Sequence, residues 1–288
     1  MGLNRGRRAG TTPVMTTTLR PTEPLQQHTD GTRSRRFQVC VNSRPAGEIH
    51  LDTSPFLGPS VARVTELRID EPDRRRGRGT VAMLAAEEVA RSWGCRQIEL
   101  TLPAENEPAS RLADALGYVL RNRGMRKRLG EEPPQLPPGS TARPMTEAEF
   151  TAWQEAERVR YAGEWIERGV PEADAHAKAR RDHATVLPDG LATEGVWFGV
   201  LEHEGTPVGH VWLGRRAEER WIYDIQTDES RRGQGHGRAL MLLAEARTIT
   251  EGARALGLNV FAGNTPAERL YESLGYGTTY RTLTKALL

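Results

Sequence analysis

Gly233, Gly235 and Gly237 fall within the run Trp221–Leu242, WIYDIQTDESRRGQGHGRALML. Glycine lets a backbone turn without Cβ clashes, so successive N–H groups and the positive end of a new helix can converge on one anion, normally a phosphate. The ligand this predicts is a pyrophosphate. A carboxylate, Asp224, stands eight residues ahead of Arg232 on the approach to the turn. A phosphate-binding Walker loop would end in Gly-Lys-Ser/Thr, and a dinucleotide fingerprint would need an acidic strand end about 20 residues on; neither is present.

Such a turn needs a strand before it and a helix after it. Ile222, Ile225 and Thr227 lie among aromatic and β-branched neighbours that favour a strand, and strong helix formers begin at Arg238, with apolar residues at Leu242, Ala246, Ile249, Ala253 and Leu256. Further on come Asn264-x-x-Ala267-x-x-Leu270-Tyr271 and Leu274-Gly275-Tyr276. Arg232-x-x-Gly235-x-Gly237 followed at this distance by the Asn and the Leu-Tyr ending resembles the GNAT superfamily of acyl-CoA-dependent N-acyltransferases. The resemblance implies an α/β fold with a mixed central sheet flanked by helices.

The same pattern occurs earlier in the chain. Arg74, Gly77, Gly79, Asn106, Leu116-Gly117-Tyr118 and Glu66 each precede their counterparts Arg232, Gly235, Gly237, Asn264, Leu274-Gly275-Tyr276 and Asp224 by 158 residues. A constant offset means that the turn, both helices and the strand between them repeat without insertion or deletion. Two GNAT-like units in tandem are therefore expected. Their limits are a disordered tail over 1–15, a first domain over 16–129, a Pro-rich linker over 130–140 and a second domain over 141–288.

The two units differ near their starts. In the second, Thr146 and Glu149 form a capping-box pattern that opens a helix carrying Phe150, Trp153 and Trp165, and Pro171 opens another that ends before Pro188. The first has a short polar stretch there, so it lacks the helical pair that in the family walls the acceptor site. In the first unit Tyr118–Arg128 is read as the strand that closes its own sheet, and Ala113 stands where Tyr271 does. Chemistry is accordingly assigned to the second unit, with the first a degenerate partner whose Arg74, Gly77, Gly79 and Asn106 form a possible vestigial cofactor site.

By resemblance, acetyl-CoA or another acyl-CoA is the co-substrate. Ile225 and Thr227 would offer backbone to its pantetheine arm; Gly233, Gln234, Gly235, His236, Gly237 and Arg238 would enclose its diphosphate; Arg232 would add charge and Asn264 would fix the backbone or touch the arm. Tyr271 takes the general-acid position that delivers a proton to the departing thiolate. Asp224 is either the base for the amine proton or a carboxylate that orients a cationic acceptor. His210, on the preceding strand, is a further candidate for the acceptor pocket. The reaction implied is acyl transfer to the primary amine of a small molecule, with donor and acceptor bound together. Two alternatives stay open: a donor carried on a carrier protein's phosphopantetheine, and a non-catalytic CoA-binding sensor.

Composition narrows the partners. The net charge is only +2, yet residues 1–139 carry +6 and the remainder −4; neither value demands nucleic acid. The cluster Arg74, Arg75, Arg76 and Arg78 has no interleaved aromatics and reads as a phosphate or solvent surface. Cys40 and Cys95 are too few and too isolated for a disulfide framework, and the histidines have no metal-ligand spacing, so no metal and a reducing cytoplasmic setting are expected. Without a long apolar run no membrane partner is expected, and monomer and homodimer remain open.

Overall fold

The computed structural model describes residues 16–217 and 219–287, so the tail expected over 1–15 lies outside it. The first unit runs β1 (Thr17–Pro21), β2 (Gln26–Gln27), β3 (Arg33–Val41), β4 (Arg44–Ser54), β5 (Gly58–Ile69), α1 (Arg78–Ser92), β6 (Gln97–Pro103), α2 (Glu107–Ala115) and β7 (Val119–Arg128). The second runs β8 (Ser140–Pro144), α3 (Glu147–Ile166), α4 (Glu172–Val186), β9 (Trp197–His203), β10 (Thr206–Arg216), β11 (Glu219–Thr227), α5 (His236–Thr250), β12 (Ala255–Phe261), α6 (Thr265–Ser273) and β13 (Gly277–Ala286). The expected helical pair is present in the second unit and replaced by β2 and its flanking turns in the first.

All the strands join one mixed sheet in the order β1-β3-β4-β5-β6-β13-β7-β12-β11-β10-β9-β8, with β2 paired to β3. Here the structure departs from the sequence reading, because β7 does not close its own unit's sheet. It pairs with β12 of the second unit, Asn122 opposite Phe261, while β13 fills the place between β6 and β7, Tyr280 opposite Pro103. The closing strands are thus exchanged. Alternation of apolar and polar residues sets which face of a strand is buried, and it is silent on which neighbour the edge will meet.

The cores record the same exchange. Met125 and Leu129 are buried in the core of the second unit, and Leu283 and Leu287 in that of the first. Each contributes on the order of 1.5–3 kcal/mol of transfer free energy to a core built mainly by the other half. Two ion pairs, each between a buried glutamate and a half-buried lysine, mirror one another across the seam, Lys127 with Glu245 at 2.8 Å and Lys285 with Glu87 at 2.8 Å.

Local chemistry explains the ends of the helical pair. Thr146 Oγ1 accepts from the Glu149 backbone N–H at 3.3 Å, and the Glu149 carboxylate accepts from the Thr146 N–H at 2.8 Å, closing the capping box at the start of α3. Its apolar face buries Phe150 and Trp153 against Phe198 and Trp212 of the sheet. Both cysteines are free and buried. Among the described residues no helix is long and apolar enough to cross a membrane.

Candidate active site

The site forms where two parallel strands part. β11 pairs with β12 only from Arg220 opposite Leu256 to Ile222 opposite Leu258, and beyond that point the two strands run on unpaired with each other. A bulge marks the place: Trp212 of β10 faces Asp224 and Leu213 faces Ile222, leaving Tyr223 as an extra residue in β11. The first unit repeats this, with pairing that ends at Val64 opposite Leu100 and Thr65 as the extra residue. The cleft is therefore a property of the repeated backbone.

A cavity of about 1100 Å³ opens from the parting of β11 and β12. Its wall comes from α3 and α4, from Asp224 and Ile225 of β11, from Asn264 and Tyr271, and also from the first unit through Phe56, Arg63, Glu99 and Arg121. The first unit comes within hydrogen-bonding reach of the helical pair: Ser60 Oγ donates to Asp174 at 2.7 Å, and Gln97 Nε2 donates to the Arg168 carbonyl at 2.8 Å.

Asp224 is buried with both oxygens engaged. Oδ1 accepts from Arg160 Nη2 at 2.8 Å; Oδ2 accepts from Trp153 Nε1 at 3.1 Å and from His210 Nε2 at 3.0 Å. Burial alone would raise its pKa, but the His210 hydrogen bond and the Arg160 charge outweigh that and hold the carboxyl below its ordinary value. Such a group is ionised and anchored. His210 thus lies behind Asp224 and is not among the residues lining the cavity.

Tyr271 is buried at 7% exposure and lines the same cavity. Among the described residues nothing hydrogen-bonds its hydroxyl. Burial, reinforced by the charge of Asp224, pushes the phenol up to about 12, so at neutral pH it carries its proton. Asn264 also lines the cavity, and its Oδ1 accepts from the Ala267 N–H at 3.3 Å as the N-cap of α6.

The glycine turn lies outside the cavity wall, at the start of α5. Gly233 and Gly235 have φ of 77° and 88°, and Gly235 is the helix N-cap. At both, the space a Cβ would fill is open, which leaves room for a ligand to approach the backbone. A Cβ on Gly237 would stand 3.3 Å from Leu270 and 3.7 Å from Thr227 Oγ1, so this glycine lets α5 pack closely on α6 and the end of β11. Gln234 is exposed, and Arg232 is exposed beside Glu229 at 3.3 Å. Arg238 donates to Ser273 Oγ at 2.7 Å, tying the two helices together. The ring of His236 is buried, 5.1 Å from that of His203. Half-buried Ile225 packs against the core of the second unit. These features fit a diphosphate held by backbone N–H groups and a helix N-terminus.

The first unit keeps the turn. Gly77 has φ of 73° as the N-cap of α1, a Cβ on Gly79 would stand 3.3 Å from Leu112, and Asn106 caps α2 from Oδ1 to the Ala109 N–H at 3.3 Å. Arg75, in place of Gly233, retains the left-handed backbone with φ of 58°. Arg74 donates to the Ile69 carbonyl at 2.8 Å, and all of these residues border a cleft of about 860 Å³. Ala113, where the second unit has Tyr271, is buried and offers no proton.

Sequence reasoning missed a trio on α3. Arg160 donates to Glu157 at 2.7 Å and to Glu164 at 2.6 Å, besides Asp224, and all three residues line the cavity. Their spacing of three and four residues places them on one helical face. That pattern was readable, but it is shared by any solvated helix.

The profile of the Acetyltransferase (GNAT) family matches residues 11–118 and again 150–276. The uncharacterized N-acetyltransferase YycN of Bacillus subtilis (strain 168) is 32% identical over 50% of this chain and 96% of its own length. A mycothiol acetyltransferase of Thermomonospora curvata is 29% identical over 85% of this chain and 79% of its own. Among solved structures, a GCN5-related N-acetyltransferase of Sphaerobacter thermophilus superposes with a TM-score of 0.58 at 21% identity, over 88% of this chain and 80% of that one. A tandem GNAT protein from the clavulanic acid biosynthesis pathway gives 0.51 at 18% identity, over 91% and 85%.

Proposed function

The chain belongs to the GNAT acetyltransferase family and is an N-acetyltransferase; from that premise we propose that it moves the acetyl group of acetyl-CoA to the primary amine of a small molecule, both substrates bound together. The observation that carries this reading is Tyr271, a buried and protonated phenol whose hydroxyl has no hydrogen-bond partner among the described residues, on the wall of the cavity that opens between β11 and β12.

Residues Gly233–Arg238 hold the diphosphate through backbone N–H groups and the positive end of α5, with Arg232 adding charge from the rim. Backbone at Ile225 and Thr227 guides the pantetheine arm along β11, and Asn264 keeps the start of α6 in place beside it. When bound, the thioester supplies an activated acyl carbonyl to the cleft. Tyr271 donates its proton to the sulfur that departs. Asp224, ionised and held by Arg160, His210 and Trp153, supplies fixed negative charge that draws an ammonium group toward the carbonyl.

The test is mass spectrometry of an amine library incubated with the protein and acetyl-CoA, with free thiol followed in parallel. The reading expects at least one acetylated primary amine and matching thiol release. CoA binding with no thiol release for any amine would instead leave a cofactor-binding protein without turnover.

A further inference from the structure

We propose that Glu157 takes the proton that the acceptor's ammonium group must lose before it attacks; this rests on the acyl-transfer reading above. Glu157 lies on α3 at 6% exposure and lines the same cavity as Tyr271. Its Oε2 accepts from Arg160 Nε at 2.7 Å. Among the described residues its Oε1 makes no hydrogen bond, which leaves one carboxylate oxygen for a ligand.

The charge arrangement singles out this carboxyl. Arg160 serves three carboxylates, Glu157, Glu164 and Asp224, so one positive charge stands among three acids. Asp224 has both oxygens occupied and remains ionised. Around Glu157 the other titratable groups are Glu164 on its own helix, Asp224 with His210 behind it from the sheet, Tyr271 from α6, and Lys178, Asp182 and His183 from α4. Lys178 is committed to Asp182 at 2.5 Å, and burial favours a neutral His183. The cation that pairs with Glu157 is therefore Arg160, whose charge it shares with Glu164 and Asp224. Burial, with the charge of Asp224 next, raises its pKa against the opposing pull of Arg160. Two nearby carboxyls whose surroundings drive their pKa values apart divide the labour, one as fixed charge and one as proton carrier.

The step balances. The acceptor binds as an ammonium ion to the form of the protein in which Glu157 has released its own proton to solvent, and one N–H proton passes to that carboxylate, leaving a neutral amine. The nitrogen lone pair forms the N–C bond to the acyl carbonyl, and the C–S bond breaks with its electron pair on sulfur. Sulfur takes the Tyr271 proton, the second N–H proton leaves to solvent, and solvent returns Tyr271 and Glu157 to their starting states. The products are an amide and a free thiol.

Two measurements on the full-length chain test this. Infrared difference titration of the protein alone, from about pH 5 to about pH 9, should show a protonated carboxyl band persisting at neutral pH, absent from Glu157→Gln. Acetyl transfer is then compared for tyramine, an ammonium ion at neutral pH, and hydroxylamine, which is already neutral there. Glu157→Gln should lose roughly 10²–10⁴-fold in turnover of tyramine and keep hydroxylamine transfer nearly intact, and Glu157→Asp should recover part of the tyramine rate. A missing band, or equal losses with both amines, overturns the assignment to Glu157 while acyl transfer itself stands. A wild-type chain that shows the band but releases no thiol with either amine or with any member of the amine library overturns the acyl-transfer reading instead.

Discussion

Gly124 of β7 lies under the ring of Tyr280 of β13: a Cβ at position 124 would stand 2.0 Å from Tyr280 Cε1. The two residues pair across the seam between the units, and the Tyr280 hydroxyl is held by Arg216 at 2.8 Å. The ring therefore cannot swing aside without losing that bond. Gly124→Ala should destabilise the protein by about 1–3 kcal/mol, read as a fall in the denaturant midpoint. Combined with Tyr280→Ala, the added cost of the alanine should largely vanish; purely additive effects would show that the ring does not dictate the glycine.

Leu283 is carried by β13 of the second unit yet is buried in the core of the first. Leu283→Ala should cost about 2–5 kcal/mol. Hydrogen exchange should show the loss of protection first at β6, which β13 borders, even though β6 lies far away in sequence. Weakened protection confined to β10 and β11 would contradict the exchanged arrangement.

Tyr271→Phe removes the phenolic proton and keeps the ring in its core position. Turnover, followed as thiol release, should fall by roughly 10²-fold or more, while CoA affinity measured without acceptor stays unchanged. Because burial pushes this phenol up to about 12, its ionisation should not shape the rate profile anywhere near neutral pH. Equal turnover in the two proteins would remove Tyr271 from the chemistry.

Glu149 closes the capping box of α3 and is gripped by Arg143 at 2.7 Å. The Arg143 hydrogen bond, followed by that from the Thr146 backbone, holds its carboxyl down to about 2, from an ordinary 4.5. A depressed folded-state pKa stabilises fully above the unfolded value and is lost as pH falls through the folded one. Glu149→Gln should therefore lower stability by about 1 kcal/mol or less near neutrality, since the pair is partly solvated. The gap between variant and parent, followed by urea unfolding, should close as pH drops from about 4.5 toward about 2. A gap that widens on acidification would reverse the sign.

Much of this was legible in the sequence because local constraints wrote it there. The turn needs left-handed backbone at Gly233 and Gly235, the start of α3 needs Thr146 and Glu149, and the offset of 158 residues carries the second unit's strand and helix pattern onto the first. The partners of Asp224 were not legible, since Trp153 and Arg160 reach it from α3, 71 and 64 residues away. Nor was the exchange of β7 and β13, because Met125 and Leu283 alternate inward alike whichever core receives them. The α3 carboxylates failed for a different reason: charges spaced for a solvated helix face look the same when that face is turned onto a cavity.

The place of β13 between β6 and β7 also sets an order of events in the making of the molecule. When the ribosome has finished Arg128, the first half still lacks the ten-residue strand that pairs with β6, and that strand is translated only after the other elements of the second unit. Until it emerges, β6 exposes an unpaired edge of the kind that recruits neighbouring chains. Nascent protein of this design must therefore be shielded, or kept loosely folded, for the time needed to synthesise the whole second half.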